Sequence, residues 1–423
     1  MMRKITLVAA MFLCLIAGAG GFCLLNRERD PRLDLISRKD ALEDYDYLWE
    51  ILEENYPFFG VAERKYGLDV QQLKQDYRQQ LEGMGKEIDF LKFYQLMKDC
   101  VGEFHQLGHF IMYSPQDYQS HMAGKEYLCE FALSRWQVEH YLEESKVQKR
   151  YDFLESKEVS SNWSEQPQSE RLTFNRFQDE IAYMKINSFY GQYIEQDREK
   201  ILNFFRENAD IPNLIIDIQN NSGGSSYYWY ENLVRPNIEE KMEAPFLEVT
   251  PYGNRSREQM KLDGYEEQAL NAEIEELEEL PEINQDDLIS GWYWEKDEGD
   301  AIAPQSNEKL YKGRIFLLVN DGTRSAADSF AYFCKGSGFA TVLGQENTRG
   351  DGPGSNFVLD QLPHSNLLFR YRPILALDMK GVPLEESGVE PDVLLPTRAK
   401  NSNDKVSPLA ACLIYIEELE EIE

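Results

Sequence analysis

Apolar positions recur with helical spacing across residues 38–105: Leu48, Ile51 and Leu52 form one stripe, and Leu91, Phe93, Tyr94 and Met97 another. A period of three to four residues lays apolar side chains along one face of a helix, so the pattern predicts a small helical domain over 38–115. Residues 116–175 are mixed and charged, and the polar stretch Val159–Gln168 reads as a loop. From Glu180 the period changes. EIAYMKINSFY reads as a strand, Ile194–Asn208 as a helix and Leu214–Ile218 as a second strand, and this β–α–β alternation predicts an α/β core over 176–400. Further on, helix Ala326–Lys335 is followed by strands at 340–343, 357–359 and 367–371. A closing segment, 401–423, contains the amphipathic helix Pro408–Ile422.

Residues 238–305 interrupt the core. Their most acidic part is Glu273–Leu280 (EIEELEEL), with Trp292, Tyr293 and Trp294 beyond it. They read either as a solvated helical insertion or as a lid whose aromatic rings keep water from a substrate groove.

Tyr311–Phe330, YKGRIFLLVNDGTRSAADSF, runs from an apolar strand through a short turn into a helix and leaves Ser325 at the junction. The first N–H groups of a helix lack intrahelical partners and carry partial positive charge, so an oxyanion formed by attack of Ser325 on a carbonyl would be stabilised there. Ser325-Ala326-Ala327-Asp328 also fits a helix N-cap with an acid three positions on, which needs no chemistry. Asn213–Gly224, NLIIDIQNNSGG, is a core strand closing in two glycines that let backbone approach a ligand. Gly223 or Gly224 together with Ala326 supply the two halves of an oxyanion hole.

DIQNNSGG, T-R-S-A-A-D, LGQENTRGDGPG (343–354) and GVPLEESGVEPDVLLP (381–396) stand in the order found in the tail-specific, or C-terminal-processing, serine peptidases, which this chain resembles. DYDYLWEILEENYPFF (44–59) and LKFYQLMKDCVGEFHQLGHFIMYSP (91–115) are similar to the helical N-terminal part of the same family. The resemblance implies a ClpP/crotonase-like core, a mixed β-sheet with flanking helices, preceded by the helical domain. It also implies protein or peptide substrates, cut near C-termini or as short peptides. One branch of the family uses a lysine about 25 residues after the serine, but this chain has no lysine between Lys335 and Lys380. The tricorn-like branch uses a histidine and a glutamate. His109 in Leu107-Gly108-His109-Phe110 and Glu385 in Glu385-Glu386-Ser387-Gly388-Val389 match those motifs, although Leu107 and Phe110 stand where the family often has Asp and Thr.

Serine is a weak nucleophile and needs a positioned base, most often imidazole near neutral pH. The chain has five histidines, so candidates are few. The expected set is Ser325 as nucleophile, His109 as base and Glu385 as the acid that orients it. His105 and His109, four apart, would share a helix face, but no third metal ligand stands at a recognisable spacing. G-x-S-x-G, Walker-type and dinucleotide glycine motifs are absent, and no cofactor is expected.

The basic Met1-Met2-Arg3-Lys4 and the apolar or small run Ile5–Leu25 form a targeting segment within residues 1–30. Ala17-Gly18-Ala19 offers a cleavage site, while the run is nearly long enough to anchor in a bilayer. The bulk of the chain is therefore expected outside the cytoplasm, membrane-anchored or secreted. Four cysteines lie beyond this segment without a C-x-x-C. The net charge of −31 argues against nucleic acid or anionic membrane surfaces as partners. About sixty residues between the helical domain and the core are too few for an inserted PDZ module. The alternative to an enzyme is a catalytically silent relative that binds peptides or apolar ligands in the same groove.

Overall fold

The computed structural model describes residues 33–125, 135–157, 171–177, 180–251, 253–262, 280–284, 292–297 (backbone only), 301–352, 357–399 and 404–421. The targeting segment, Val159–Gln168 and most of the acidic run Glu273–Leu280 lie outside them.

Along the chain come α1 (Arg38–Asn55), α2 (Phe59–Tyr66), α3 (Val70–Glu82), α4 (Phe90–Gly102), the short strand β1 (Ile111–Met112), α5 (Pro115–Ala123) and α6 (Ser145–Glu155). Asp69 and Asp89 cap α3 and α4 through their side chains. At α5, Ser114 and Asp117 form a reciprocal capping box that satisfies end groups the helix cannot bond itself. Then follow β2 (Leu172–Phe177), β3 (Ile181–Ile186), α7 (Ile194–Glu207), β4 (Asn213–Asp217), β5 (Phe246–Pro251), β6 (Trp292–Asp297), β7 (Arg314–Val319), α8 (Ala326–Ser337), β8 (Thr341–Gly344), β9 (Val358–Gln361), β10 (Leu368–Tyr371), β11 (Leu375–Leu377), α9 (Leu384–Ser387), β12 (Val393–Leu394) and α10 (Pro408–Glu420).

The central sheet has the order β12-β8-β7-β4-β3-β2. All its pairings are parallel except β2 with β3. Its inner strands β3, β4, β7 and β8 are buried on both faces, and their side chains alternate between two cores as the two-residue period of a strand requires. Ala182, Met184, Leu214, Ile216, Leu317 and Val319 face the core under α7 and α8. Tyr183, Ile215, Phe316 and Leu318 face the opposite side, which α10 closes with Ala411, Cys412 and Ile416. The amphipathic closing helix and the α/β core thus stand where the sequence pattern put them.

The N-terminal helices are not self-sufficient. Their core includes Leu359, Leu362, Leu367, Leu368, Phe369 and Tyr371 from more than two hundred residues downstream. β1 completes an antiparallel sheet with β10 and β9, through Phe369 opposite Met112. β11, β5 and β6 form another antiparallel sheet, so the start and end of the 238–305 interruption contribute paired strands rather than helix alone. Ser365 and Asp44 tie the two halves again, the His364 and Ser365 N–H groups donating to the buried Asp44 carboxylate at 2.8 Å.

A fragment ending near residue 157 is therefore expected to lack a cooperative unfolding transition in urea, because it carries the apolar helix faces without the strands that cover them. A two-state transition in that fragment, followed by circular dichroism, would show the helices to be an autonomous domain.

Candidate active site

β4 and β7 are parallel neighbours in register, Asp217 beside Leu318, so their carboxyl ends emerge side by side. The two following loops are laced together. Ile218 N–H donates to Leu318 O (3.0 Å), Asn220 N–H to Asn320 Oδ1 (2.8 Å), Thr323 Oγ1 to Ile218 O (3.1 Å) and Arg324 N–H to Asn221 O (3.0 Å). This brings the glycine pair against Ser325. A Cβ on Gly223, whose φ is +88°, would lie 2.7 Å from Ser325 Cβ and 2.9 Å from the Ala326 nitrogen, so only glycine fits.

Ser325 stands at the N-terminus of α8 with φ 50° and ψ −126°, a conformation that costs an L-residue about 1–3 kcal/mol. It is partly exposed, and its hydroxyl makes no helix-capping bond. The N-cap alternative therefore does not form. Asp328, the acid three positions on, instead receives the N–H groups of Asp351 (3.1 Å) and Gly352 (3.0 Å) and the Thr348 hydroxyl. Burial raises the Asp328 carboxyl to about 6.

Of the two glycines, Gly223 spends its N–H on Asn221 Oδ1 at 2.8 Å. Its carbonyl accepts from Phe189, and the Phe189 carbonyl in turn accepts from Ser225. Gly224 N–H takes no part in this bridge and has no hydrogen-bond partner among the described residues. Gly224 and Ala326 thus keep N–H groups without a hydrogen-bond partner among the described residues, and Gly223 supplies the close approach.

His109 reaches the site from the other half of the molecule. Residues 105–109 do not continue α4: His105, Gln106, Gly108 and His109 all have positive φ, and Leu107–His109 form only a short, kinked 3-10 turn. The expected common helix face of His105 and His109 is therefore overturned, because α4 ends at Gly102 and left-handed turns separate the two rings. His105 packs on Tyr66 (ring centroids 4.4 Å apart) and His109 on Phe357 (5.1 Å). At Gly108 a Cβ would fall 2.3 Å from the Phe58 ring, so this turn also requires glycine.

The buried Nε2 of His109 has no hydrogen-bond partner among the described residues. Burial holds the imidazole at about 3, below the ordinary 6.5; Asp351 opposes this, and Arg372, Arg370 and Arg324 reinforce it. His109 is consequently neutral at physiological pH and has a lone pair to offer. No hydrogen bond joins it to Ser325 or to Glu385 among the described residues.

The loops that carry Ser325 and His109 do touch. Arg324 Nη2 donates to Gln106 Oε1 at 3.2 Å and its Nε to Asp351 Oδ2 at 2.9 Å. Arg372 N–H donates to Gly108 O at 2.7 Å, and its Nη1 to Asp351 O at 3.2 Å. Glu385, at the start of α9, is fully buried and ion-paired with the fully buried Arg372. Its carboxylate packs against Gly352. Lys65 donates to the carbonyls of Arg349 (2.6 Å) and Glu385 (2.5 Å), and burial lowers its ammonium below the usual range. Beside this cluster lies an open depression of about 420 Å³ lined by Lys65, Tyr66, His105, Asp321, Thr348 and Arg349.

Sequence reasoning named Ser325, Ala326, Gly223, Gly224, His109 and Glu385. It missed Asn221, Lys65, Arg324, Asp351 and Arg372 as parts of the site. Arg324 and Asp351 stood inside quoted motifs, but nothing linear signalled that they pair. Among the described residues the one cluster with metal-ligand geometry is Asp40, Glu43 and His364, remote in sequence from these groups.

The profile of peptidase family S41 matches residues 180–395. Among solved structures, mature CPAF complexed with lactacystin is 16% identical, with a TM-score of 0.53 over 91% of this chain and 98% of that one. A candidate peptidase from Parabacteroides merdae ATCC 43184 is 17% identical, with a TM-score of 0.50 over 84% and 89%. Both share the fold. No curated protein matches the sequence.

Because the folded His109 sits below its ordinary value, the unfolded chain takes up a proton under pH 6.5 that the folded chain refuses. The stability this gives is present above 6.5 and lost as pH falls towards 3. Urea unfolding at pH 7 and pH 4.5 is expected to show a smaller loss for His109→Gln than for wild type, and equal losses would show that His109 titrates normally.

Proposed function

The chain belongs to peptidase family S41, and from that premise we propose that it is a serine peptidase acting on proteins or peptides outside the cytoplasm. The observation that carries this reading is Ser325, strained, uncapped and partly exposed, packed against Gly223 with the Gly224 and Ala326 N–H groups beside it. The location is supported by the basic Met1–Lys4 and the apolar run Ile5–Leu25.

In the proposed reaction Ser325 Oγ bonds to the substrate carbonyl carbon while its proton passes to His109. The carbonyl π electrons collect on oxygen, facing Gly224 and Ala326. The tetrahedral species collapses as the C–N bond breaks, and the imidazolium returns its proton to the leaving amine. Water then repeats the sequence on the acyl-enzyme, releasing the acid and restoring Ser325. Neutral His109 has a free lone pair for the base step, and the burial that keeps it neutral is opposed by the negative charge of Asp351 when it takes the proton.

A binding role in the same groove is favoured by one observation: no hydrogen bond joins Ser325 to His109. Covalent labelling separates the two readings. A fluorophosphonate is expected to label wild type and not Ser325→Ala, and hydrolysis of a mixed peptide library is expected to be lost in Ser325→Ala and His109→Ala. A folded wild type that neither labels nor hydrolyses would move the assignment to a binding protein.

Gly223→Ala tests the oxyanion geometry. Its methyl would collide with Ser325 and displace the Ala326 donor, and loss of one such donor typically lowers turnover about 10²–10³-fold. The expected result is a fall in kcat of that order; a variant with wild-type kcat would place the oxyanion elsewhere.

A further inference from the structure

The open depression of about 420 Å³ beside the serine turn is lined by groups that the proposed reaction does not use, among them Lys65, Tyr66, His105, Asp321 and Arg349. Lys65 is fixed in place, its ammonium donating to the carbonyls of Arg349 at 2.6 Å and Glu385 at 2.5 Å. An ammonium carries three N–H donors, so these two bonds leave one for a further acceptor. The Tyr66 and His105 rings, 4.4 Å apart between centroids, supply an aromatic wall.

The neighbouring arginines are matched with carboxylates: Arg64 with Glu386 at 2.7 Å, Arg324 with Asp351 at 2.9 Å, and Arg372 with Glu385. Arg349 is not. Its half-buried side chain makes no hydrogen bond or ion pair with any described residue. The chain has 75 Asp and Glu against 44 Lys and Arg, so this is not for want of carboxylates. Asp321, exposed and without an ion pair among the described residues, is the one acid in the lining. Two cationic side chains thus face one carboxylate, which leaves room for one more negative charge.

The depression is close to the nucleophile. Arg349 N–H donates to Thr323 O at 3.1 Å. Thr323 stands two residues before Ser325, a reach of at most about 7 Å along the chain. An extended peptide advances about 3.3 Å per residue, so a substrate group a few positions from the attacked bond reaches the lining.

We propose that this depression is a carboxylate subsite of the substrate groove and that Arg349 is its specificity residue. The guanidinium offers paired N–H groups to the two carboxylate oxygens, a geometry that a lysine cannot reproduce. The remaining Lys65 N–H adds a second cation, and Asp321 opposes groups of higher negative charge. The carboxylate comes from an acidic side chain of the peptide or from its C-terminus; the chemistry is the same. The inference rests on the serine peptidase reading and deepens it by naming a substrate class.

The test uses short fluorescein-labelled peptides of Gly, Ala and Leu in which one Glu is moved along the chain. Each is paired with its Gln counterpart and made both as free acid and as C-terminal amide. Binding is read by fluorescence anisotropy on Ser325→Ala protein, which needs no hydrolysis. The carboxylate peptide is expected to bind about 10–100-fold more tightly than its neutral match. That advantage is expected to vanish when Arg349→Gln is added, to survive in part with Arg349→Lys, and to grow roughly 2–5-fold with Asp321→Asn. Loss on exchange of Glu for Gln assigns the subsite to a side chain, and loss on amidation assigns it to the chain end.

In a kinetic arm with Ser325 intact, the ratio of kcat/KM between the same peptide pairs is expected to collapse in Arg349→Gln. Equal binding of carboxylate and neutral peptides at every Glu position and at the chain end would overturn the subsite. So would an advantage that Arg349→Gln leaves unchanged. Should Arg349→Gln fail to fold, Arg349→Lys and Asp321→Asn decide by the direction of their effects. If wild type neither hydrolyses nor labels, the peptidase reading fails and the binding arm still decides whether the depression takes a carboxylate.

Discussion

The parallel pairing of β4 with β7 is the constraint on which the candidate site depends. Neither strand places a reactive group by itself. One ends in two glycines, the other in a serine at a helix start, and only adjacent parallel strands deliver both ends to one spot. The pairing is fixed by burial on both faces: a one-residue slip would turn Ile215 and Leu318 towards the wrong core and expose the alternation to conflict on two sides at once. The strained backbone of Ser325 is sustained by the same arrangement, because the hydrogen bonds lacing the two loops over-determine its conformation.

The second requirement is a junction between two bodies of structure. The N-terminal helices and strands β9 to β11 share one core, and the central sheet has its own pair. His109 comes from the first body and Ser325 from the second. What holds the boundary together is polar and largely buried: Arg324 with Asp351, Arg372 with Glu385, and Asp328 with the 348–352 loop. Buried ion pairs give little net stability, but a broken one is costly, so such a set fixes one arrangement against alternatives.

Much of this was legible in the chain. The strand, turn and helix around Ser325, the glycines at 223 and 224, the strands at 181–186 and 213–217 and the closing helix follow from periodicity and from residues with special backbone freedom. These are local properties, and local physics writes them into short windows. The helical segment was read as a domain of its own because helical spacing reveals which face is apolar, not what covers it. Its cover, Leu367 to Tyr371, lies far downstream. The helix imagined across His105 and His109 failed for a related reason: a spacing of four fits a helix, but four residues of this stretch take positive φ, and at Gly108 a side chain would strike Phe58.

The sequence by itself determined which residues are candidates for chemistry: a serine placed at a helix start, glycines that open the backbone, one histidine in a recognisable setting, and the absence of a lysine in the segment where a dyad would need it. Only the tertiary structure decided how they are shared out. It gave the Gly223 N–H to Asn221 and left that of Gly224 without a partner among the described residues; it paired Glu385 with Arg372 and Asp351 with Arg324. The division has a physical cause. Backbone conformation and amphipathic faces arise from neighbours in sequence, whereas the partner of a buried charge is set by which distant loops the packed cores bring within hydrogen-bonding distance.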